Sequence, residues 1–119
     1  MDRSHFLAAG IATIALTLGC NSERKQECSR LLAAMEPLDQ GVPSVETVDR
    51  VNKDVGALNL QDQPLHIYAE NYQKTLTVLS STLALQASPS APDGTDDVVK
   101  ARLKEARTDR QDVERYCAN

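Results

Sequence analysis

Three cysteines are the most reactive side chains of this 119-residue chain, and their spacing limits what they can do. Cys20, Cys28 and Cys117 form neither a C-x-x-C pair nor a C-x-x-C-H haem motif. A structural zinc ion takes four ligands, and His66 is the only histidine beyond residue 20. The cysteines therefore favour thiol or disulfide chemistry, and we predict no metal site.

His66 and Glu70 are the next candidates, because a spacing of four residues places both on one face of a helix. Such a pair can begin a metal site or act in acid–base chemistry. Two ligands are too few for zinc, however, and no H-E-x-x-H motif accompanies them. The pattern is more typical of two surface residues.

Tyr68 and Tyr72 repeat this spacing, and their hydroxyl groups could line a ligand groove. Tyrosines spaced in this way more often pack in a core with their polar tips hydrated. A carrier that binds a small molecule or a metal in a pocket near His66, Tyr68, Glu70 and Tyr72 is therefore an alternative function, not the leading one.

Ser80, Ser81 and Thr82 are the remaining candidates for a nucleophile. A catalytic serine needs a neighbouring base and a strained turn, and the chain has no G-x-S-x-G motif. It also lacks a glycine-rich loop that would hold phosphate groups. We therefore predict that the protein is not an enzyme and has no cofactor.

Basic and acidic residues alternate through residues 96–117, near the end of the chain. Pairs such as Asp96 and Lys100 stand four residues apart, as on an ordinary solvated helix face. The net charge is −4, and no aromatic residues are interleaved for base stacking. The basic residues could suggest binding of anionic lipid or nucleic acid, but these features argue against both and favour an ordinary solvated face.

The first twenty residues are typical of an export signal. An uncharged, apolar stretch runs from Phe6 to Leu18, and its 13 residues are too few to span a bilayer. Gly19 and Cys20 follow directly. A buried N-terminal helix would show polar residues at helical spacing, and this stretch has only Thr13 and Thr17.

The sequence of residues 17–20, Thr-Leu-Gly-Cys, resembles the lipobox of bacterial lipoproteins. The resemblance implies a signal peptide over 1–19, cleavage before Cys20, a diacylglycerol on its thiol and a further acyl chain, such as palmitate, on its amino group. It also implies a lipid anchor in the bacterial cell envelope. Because Asn21, rather than Asp, follows Cys20, the family's sorting rule implies the outer membrane. An ordinary secretory signal is the alternative.

Export bears on the two remaining cysteines, because exported proteins fold in an oxidising space. With Cys20 lipidated, we predict a disulfide between Cys28 and Cys117. Free thiols, an intermolecular pair and a metal site with His66 are the alternatives. Residues 20–119 form one predicted domain of 100 residues, and the bridge would close nearly all of it into a single loop. Because this domain has few aromatic side chains for its core, the bridge would add needed stability.

The sequence after the signal predicts helices, because apolar residues recur every three or four positions and no strand-like alternation occurs. Ser44, Asp62 and Thr95 are the expected caps at the helix starts. The four predicted segments are 23–36, 45–58, 63–87 and 96–117.

We expect an all-α, up-down bundle of four helices in which Cys28 and Cys117 meet at one end. The predicted function is a small, non-enzymatic envelope lipoprotein. It would be a structural or partner-binding module whose partners are the membrane and an unidentified envelope protein.

Overall fold

The computed structural model describes residues 22–119. This range contains four α-helices and one short 3-10 helix, and none of its residues lies in a strand. Every helix end described here lies within one residue of its predicted position, so the all-α prediction is confirmed. The elements are α1 (22–35), the 3-10 turn (Glu36–Leu38), α2 (Val45–Ala57), α3 (Gln63–Gln86) and α4 (Thr95–Ala118).

Two of the three predicted caps are present. The Ser44 hydroxyl accepts a hydrogen bond from the backbone N–H of Thr47 at 3.2 Å. The Asp62 carboxylate accepts one from the N–H of Leu65 at 3.3 Å. Each side chain satisfies a backbone donor that has no partner within the helix.

The third cap, predicted at Thr95, is wrong. Gly94 is the cap residue, with φ of +89°, a conformation that side chains with a Cβ disfavour. Thr95 is instead the first residue of α4 and is buried. Its hydroxyl donates a 2.6 Å hydrogen bond to the carbonyl of Pro92, which holds the turn before the helix.

The helices form an up-down bundle. The disulfide at Cys117 and the contact between Arg107 and Leu38 show that α1 runs antiparallel to α4. Ser80 donates a hydrogen bond to Asp49 at 2.6 Å, within the antiparallel packing of α2 on α3. Since α2 has 13 residues and both α3 and α4 have 24, the last two helices form the long hairpin of the bundle.

One apolar core joins all four helices. Most of its residues come from the predicted helical segments, but Leu38 and Leu60, which lie between those segments, are also buried in it. Leu31, Leu65, Leu76, Leu79 and Val113 have no exposed surface. Complete burial of such side chains contributes roughly 1.5–3 kcal/mol each. Apolar packing between the helices therefore positions every polar group described below.

Candidate functional site

The four residues of the predicted carrier pocket lie on two opposite faces of α3. His66 Nε2 lies 2.5 Å from Glu70 Oε1, and the two side chains are 51% and 53% exposed. Tyr72 is 1% exposed in the core, where burial raises the pKa of its hydroxyl well above the usual value. Tyr68 is half-buried and packs against the core. The four side chains do not converge on one site.

Cys28 and Cys117 meet at the end of the bundle where α1 starts and α4 finishes. Their Cα atoms lie 5.9 Å apart and the sulfurs are joined, which supports the predicted disulfide. Cys28 is buried, whereas Cys117 is partly exposed. The bridge ties α1 to the last turn of α4 across 89 residues of sequence.

Tyr116 organises a polar cluster beside this disulfide. Its hydroxyl donates a 2.8 Å hydrogen bond to Asp62 Oδ2, the same oxygen that caps α3. The Arg24 guanidinium lies 4.6 Å from the centre of the Tyr116 ring, and the Tyr68 ring centre lies 5.8 Å from it. Burial and the bond to Asp62 raise the pKa of the Tyr116 hydroxyl. The cluster joins α1, α3 and α4 at one point.

Glu27 is a buried carboxylate in the same end of the bundle, with 5% of its surface exposed. Its Oε1 accepts hydrogen bonds from the backbone N–H groups of Gln61 at 2.7 Å and Asp62 at 3.1 Å. A buried carboxylate needs such donors, because it would otherwise lose its hydration without compensation. Glu27 therefore fixes the connection from α2 into α3 against α1.

Two arginines of α4 hold the segment that follows α1. Arg107 donates to the carbonyls of Leu38 at 3.4 Å and Gly41 at 2.7 Å, and Arg110 pairs with Asp39. Arg110 Nε also lies 3.0 Å from a Glu114 oxygen, without the alignment of a hydrogen bond. These contacts place positive charge at the carbonyl end of α1, where the helix dipole favours it.

The acidic residues of α4 that follow its first turn all contact a basic or hydroxyl side chain. Burial raises the pKa of Asp109, and the hydrogen bond from Thr75 opposes that rise. The engaged pairs are Glu105 with Arg102, Asp109 with Thr75, Asp112 with Arg115 and Glu114 with Arg110.

Lys100, Lys104 and Arg107 form what we name the cationic face. No ion-pair partner contacts any of the three within residues 22–119. They line a surface groove of about 570 Å³ between α4 and the 41–42 segment, with Leu103 as part of its apolar floor and no acidic residue in its lining. Glu105 directly follows Lys104 but pairs with Arg102, and Asp96 and Asp97, one turn before Lys100, stay outside the lining.

The sequence pattern argued against an anionic partner for these cations, because acidic residues are interleaved with them along α4. Residues 100, 104 and 107 recur at spacings of four and three, which is the repeat of one helix face. The signal was present in the sequence, but the engagement of the neighbouring acids became visible only with the structure.

Cys20, the predicted site of lipid attachment, lies outside the residues that the structure describes, and so does the whole predicted signal segment. Across residues 22–119, no helix is both long and apolar enough to cross a membrane. The same range holds no cluster of three or more His, Cys, Asp or Glu side chains suited to a metal ion.

Comparisons of this chain with known protein families, curated proteins and solved structures find no match. Function must therefore be argued from the residues and their geometry alone.

Proposed function

We propose that this protein is a small, non-enzymatic lipoprotein of a bacterial cell envelope, anchored through lipid on Cys20. The helical domain is a structural or partner-binding module held at the membrane, at the outer membrane if the sorting rule for Asn21 applies. The observation that carries the proposal is the apolar stretch of 13 residues ending directly at Gly19-Cys20.

The position of the folded domain supports this proposal. Only Asn21 separates Cys20 from Ser22, which already belongs to α1. A lipid on Cys20 would thus be attached within two residues of the bundle. The disulfide and the Tyr116 cluster lie at this same end, so a pull on the tether would act on the most strongly connected part of the domain.

Partner binding is supported by the outward face of α3, which lies opposite the core. Ile67, Val78 and Leu85 are 50%, 48% and 45% exposed, and helical geometry places them along one line. They lie about 16 and 10 Å apart along the helix, with polar residues such as Lys74 between them, so they offer a partner separate apolar contacts and not one continuous patch.

The anchor is tested by mass spectrometry of the full chain expressed in a bacterium and recovered from the membrane fraction. We expect a mature protein that starts at Cys20 and carries a diacylglycerol and a further acyl chain. Cys20→Ser should abolish lipid attachment, and Cys28→Ser is the matched control that should keep it. A soluble product that begins elsewhere, or one with an unmodified Cys20, would contradict the proposal.

A further inference from the structure

We infer that the cationic face of α4 is a membrane-docking surface that binds the phosphate groups of anionic lipid headgroups, so that the domain lies on its side. This inference rests on the proposed lipid anchor and adds to it the face that meets the membrane. Three observations carry it: the unpaired cations, their arrangement, and the position of the tether.

The charge of the cationic face differs from that of the rest of the chain. The chain has a net charge of −4, yet the groove beside α4 is lined by three cations and no acid. Arg107 bonds to two carbonyls, which are neutral, so its positive charge stays uncompensated. Lys25 and Arg30 of α1 line a second groove without an acid, beside the tether. The attraction of the cationic face to an anionic surface adds to theirs and favours the orientation in which α4 lies along that surface.

The arrangement of the cations suits a flat partner. Residues 100 and 107 are separated by about 10 Å along the helix, with Lys104 between them on the same side. Both lysine side chains are exposed. A flat membrane surface along α4 can therefore approach all three cations at once. A close approach is needed, because ionic screening at physiological salt limits the attraction to about 8 Å.

The tether decides between lipid and an acidic protein as the occupant. Cys20 can lie at most about 7–8 Å from Ser22, since two peptide units join them. The membrane is then always beside the domain, and a weak surface attraction becomes an intramolecular one at about millimolar effective concentration. Each cation near an anionic bilayer strengthens binding by a factor of about five. Three such cations bind too weakly to recruit a free protein to the membrane, but their binding is sufficient to orient a domain that is already tethered there.

A domain that lies on its side differs measurably from one that stands upright. Lys104 is 13 residues from Cys117, or about 20 Å along α4 from the anchored end. Lys25 is one turn from Ser22 and is near the membrane in either orientation. Protection of Lys100 and Lys104 by lipid therefore reports the orientation, while Lys53 on α2 and Lys74 on α3 serve as references on other helices.

The experiment uses the lipidated protein, first verified by mass spectrometry and then inserted into vesicles. The vesicles contain phosphatidylcholine with or without phosphatidylglycerol, and a water-soluble reagent acetylates exposed lysines. We expect acetylation of Lys100 and Lys104 to slow at least about fivefold when phosphatidylglycerol is present, and to recover at high salt. Lys53 and Lys74 should react at unchanged rates.

A matched pair of variants tests the face itself. Lys104→Glu should remove most of the protection of Lys100, whereas Lys53→Glu, with the same change in net charge, should leave it intact. Circular dichroism checks that both variants remain helical.

Equal rates at every lysine in both lipids would overturn the inference, as would equal slowing of Lys53 and Lys74. Protection of Lys100 that requires envelope proteins would also overturn it and would favour an acidic protein partner. A protein without acyl groups on Cys20 fails at the first step, so the failure of the anchor is distinguished from the failure of the face.

Discussion

The two ends of the bundle are held together by different kinds of interaction. At the end that holds the disulfide, this bridge, the buried carboxylate of Glu27 and the Tyr116 cluster join segments that are far apart in sequence. At the opposite end, α3 and α4 are joined by residues 87–94. The polar contacts there are short in range: Thr95 to Pro92, and Gln86 to Asp96.

This difference shows where the chain needs long-range restraint. The α3–α4 hairpin is held by apolar packing and a short connection, since a loop of this length costs little entropy to close. No short loop joins the start of α1 to the helix beside it, α4. The disulfide between Cys28 and Cys117 provides that connection instead. We expect substitutions at the disulfide end to affect stability more than substitutions at the hairpin end.

The largest effect should come from removal of the disulfide. Cys28→Ser with Cys117→Ser releases a constraint that spans 89 residues, whose entropy corresponds to about 4–5 kcal/mol of unfolding free energy. Urea denaturation of the oxidised protein and of the double variant measures the difference.

Hydrogen exchange then locates the loss within the bundle. With the bridge removed, amides of α1 should exchange faster, while those of α3 and α4 near Leu83 and Val99 keep more of their protection. A loss that is uniform over all four helices would contradict the contrast between the two ends.

The next effect should come from Glu27. Glu27→Ala leaves the backbone N–H groups of Gln61 and Asp62 without their acceptor, which we expect to lower the unfolding free energy by about 2 kcal/mol. Chemical denaturation of the variant provides the measurement.

Two further variants define the cause of the Glu27 effect. Glu27→Gln retains an oxygen acceptor and should lose less than Glu27→Ala. Glu23→Ala, on the exposed part of the same helix, should change stability by less than about 0.5 kcal/mol. If Glu27→Ala and Glu27→Gln lower the unfolding free energy equally, the loss of the two hydrogen bonds is not the cause of the destabilisation.

The smallest effect should come from the hairpin end, at Gly94. Its φ is +89°, and a Cβ added there meets no atom within 4 Å. The cost of Gly94→Ala is therefore conformational alone, about 1–2 kcal/mol, and thermal or urea unfolding detects it. Gly94→Asn should lose less, because asparagine tolerates positive φ. If Gly94→Ala lowers the unfolding free energy more than removal of the disulfide does, the proposed difference between the two ends of the bundle is wrong.

The fold and part of the candidate site could be predicted because they depend on local rules. The period of the apolar residues gave the helices, and the hydroxyl or carboxylate before each start gave the caps at Ser44 and Asp62. Thr95 failed as a cap because a preceding glycine supplied the turn and the hydroxyl found a closer acceptor in Pro92. The pairing of Cys28 with Cys117 was predicted from export and from the two cysteines that remain once Cys20 is lipidated, and their places at matching ends of the bundle agree with it.

The sequence by itself determined the export-like segment, the number and limits of the helices, and the apolar residues of the core. Only the tertiary structure decided that Glu27 would be buried against the 61–62 backbone and that Arg107 would hold the carbonyls of Leu38 and Gly41. It also decided which charges of α4 would be compensated. The physical reason is that periodicity and capping act over one helical turn, whereas a charge or a polar group finds its partner on whichever helix packs beside it.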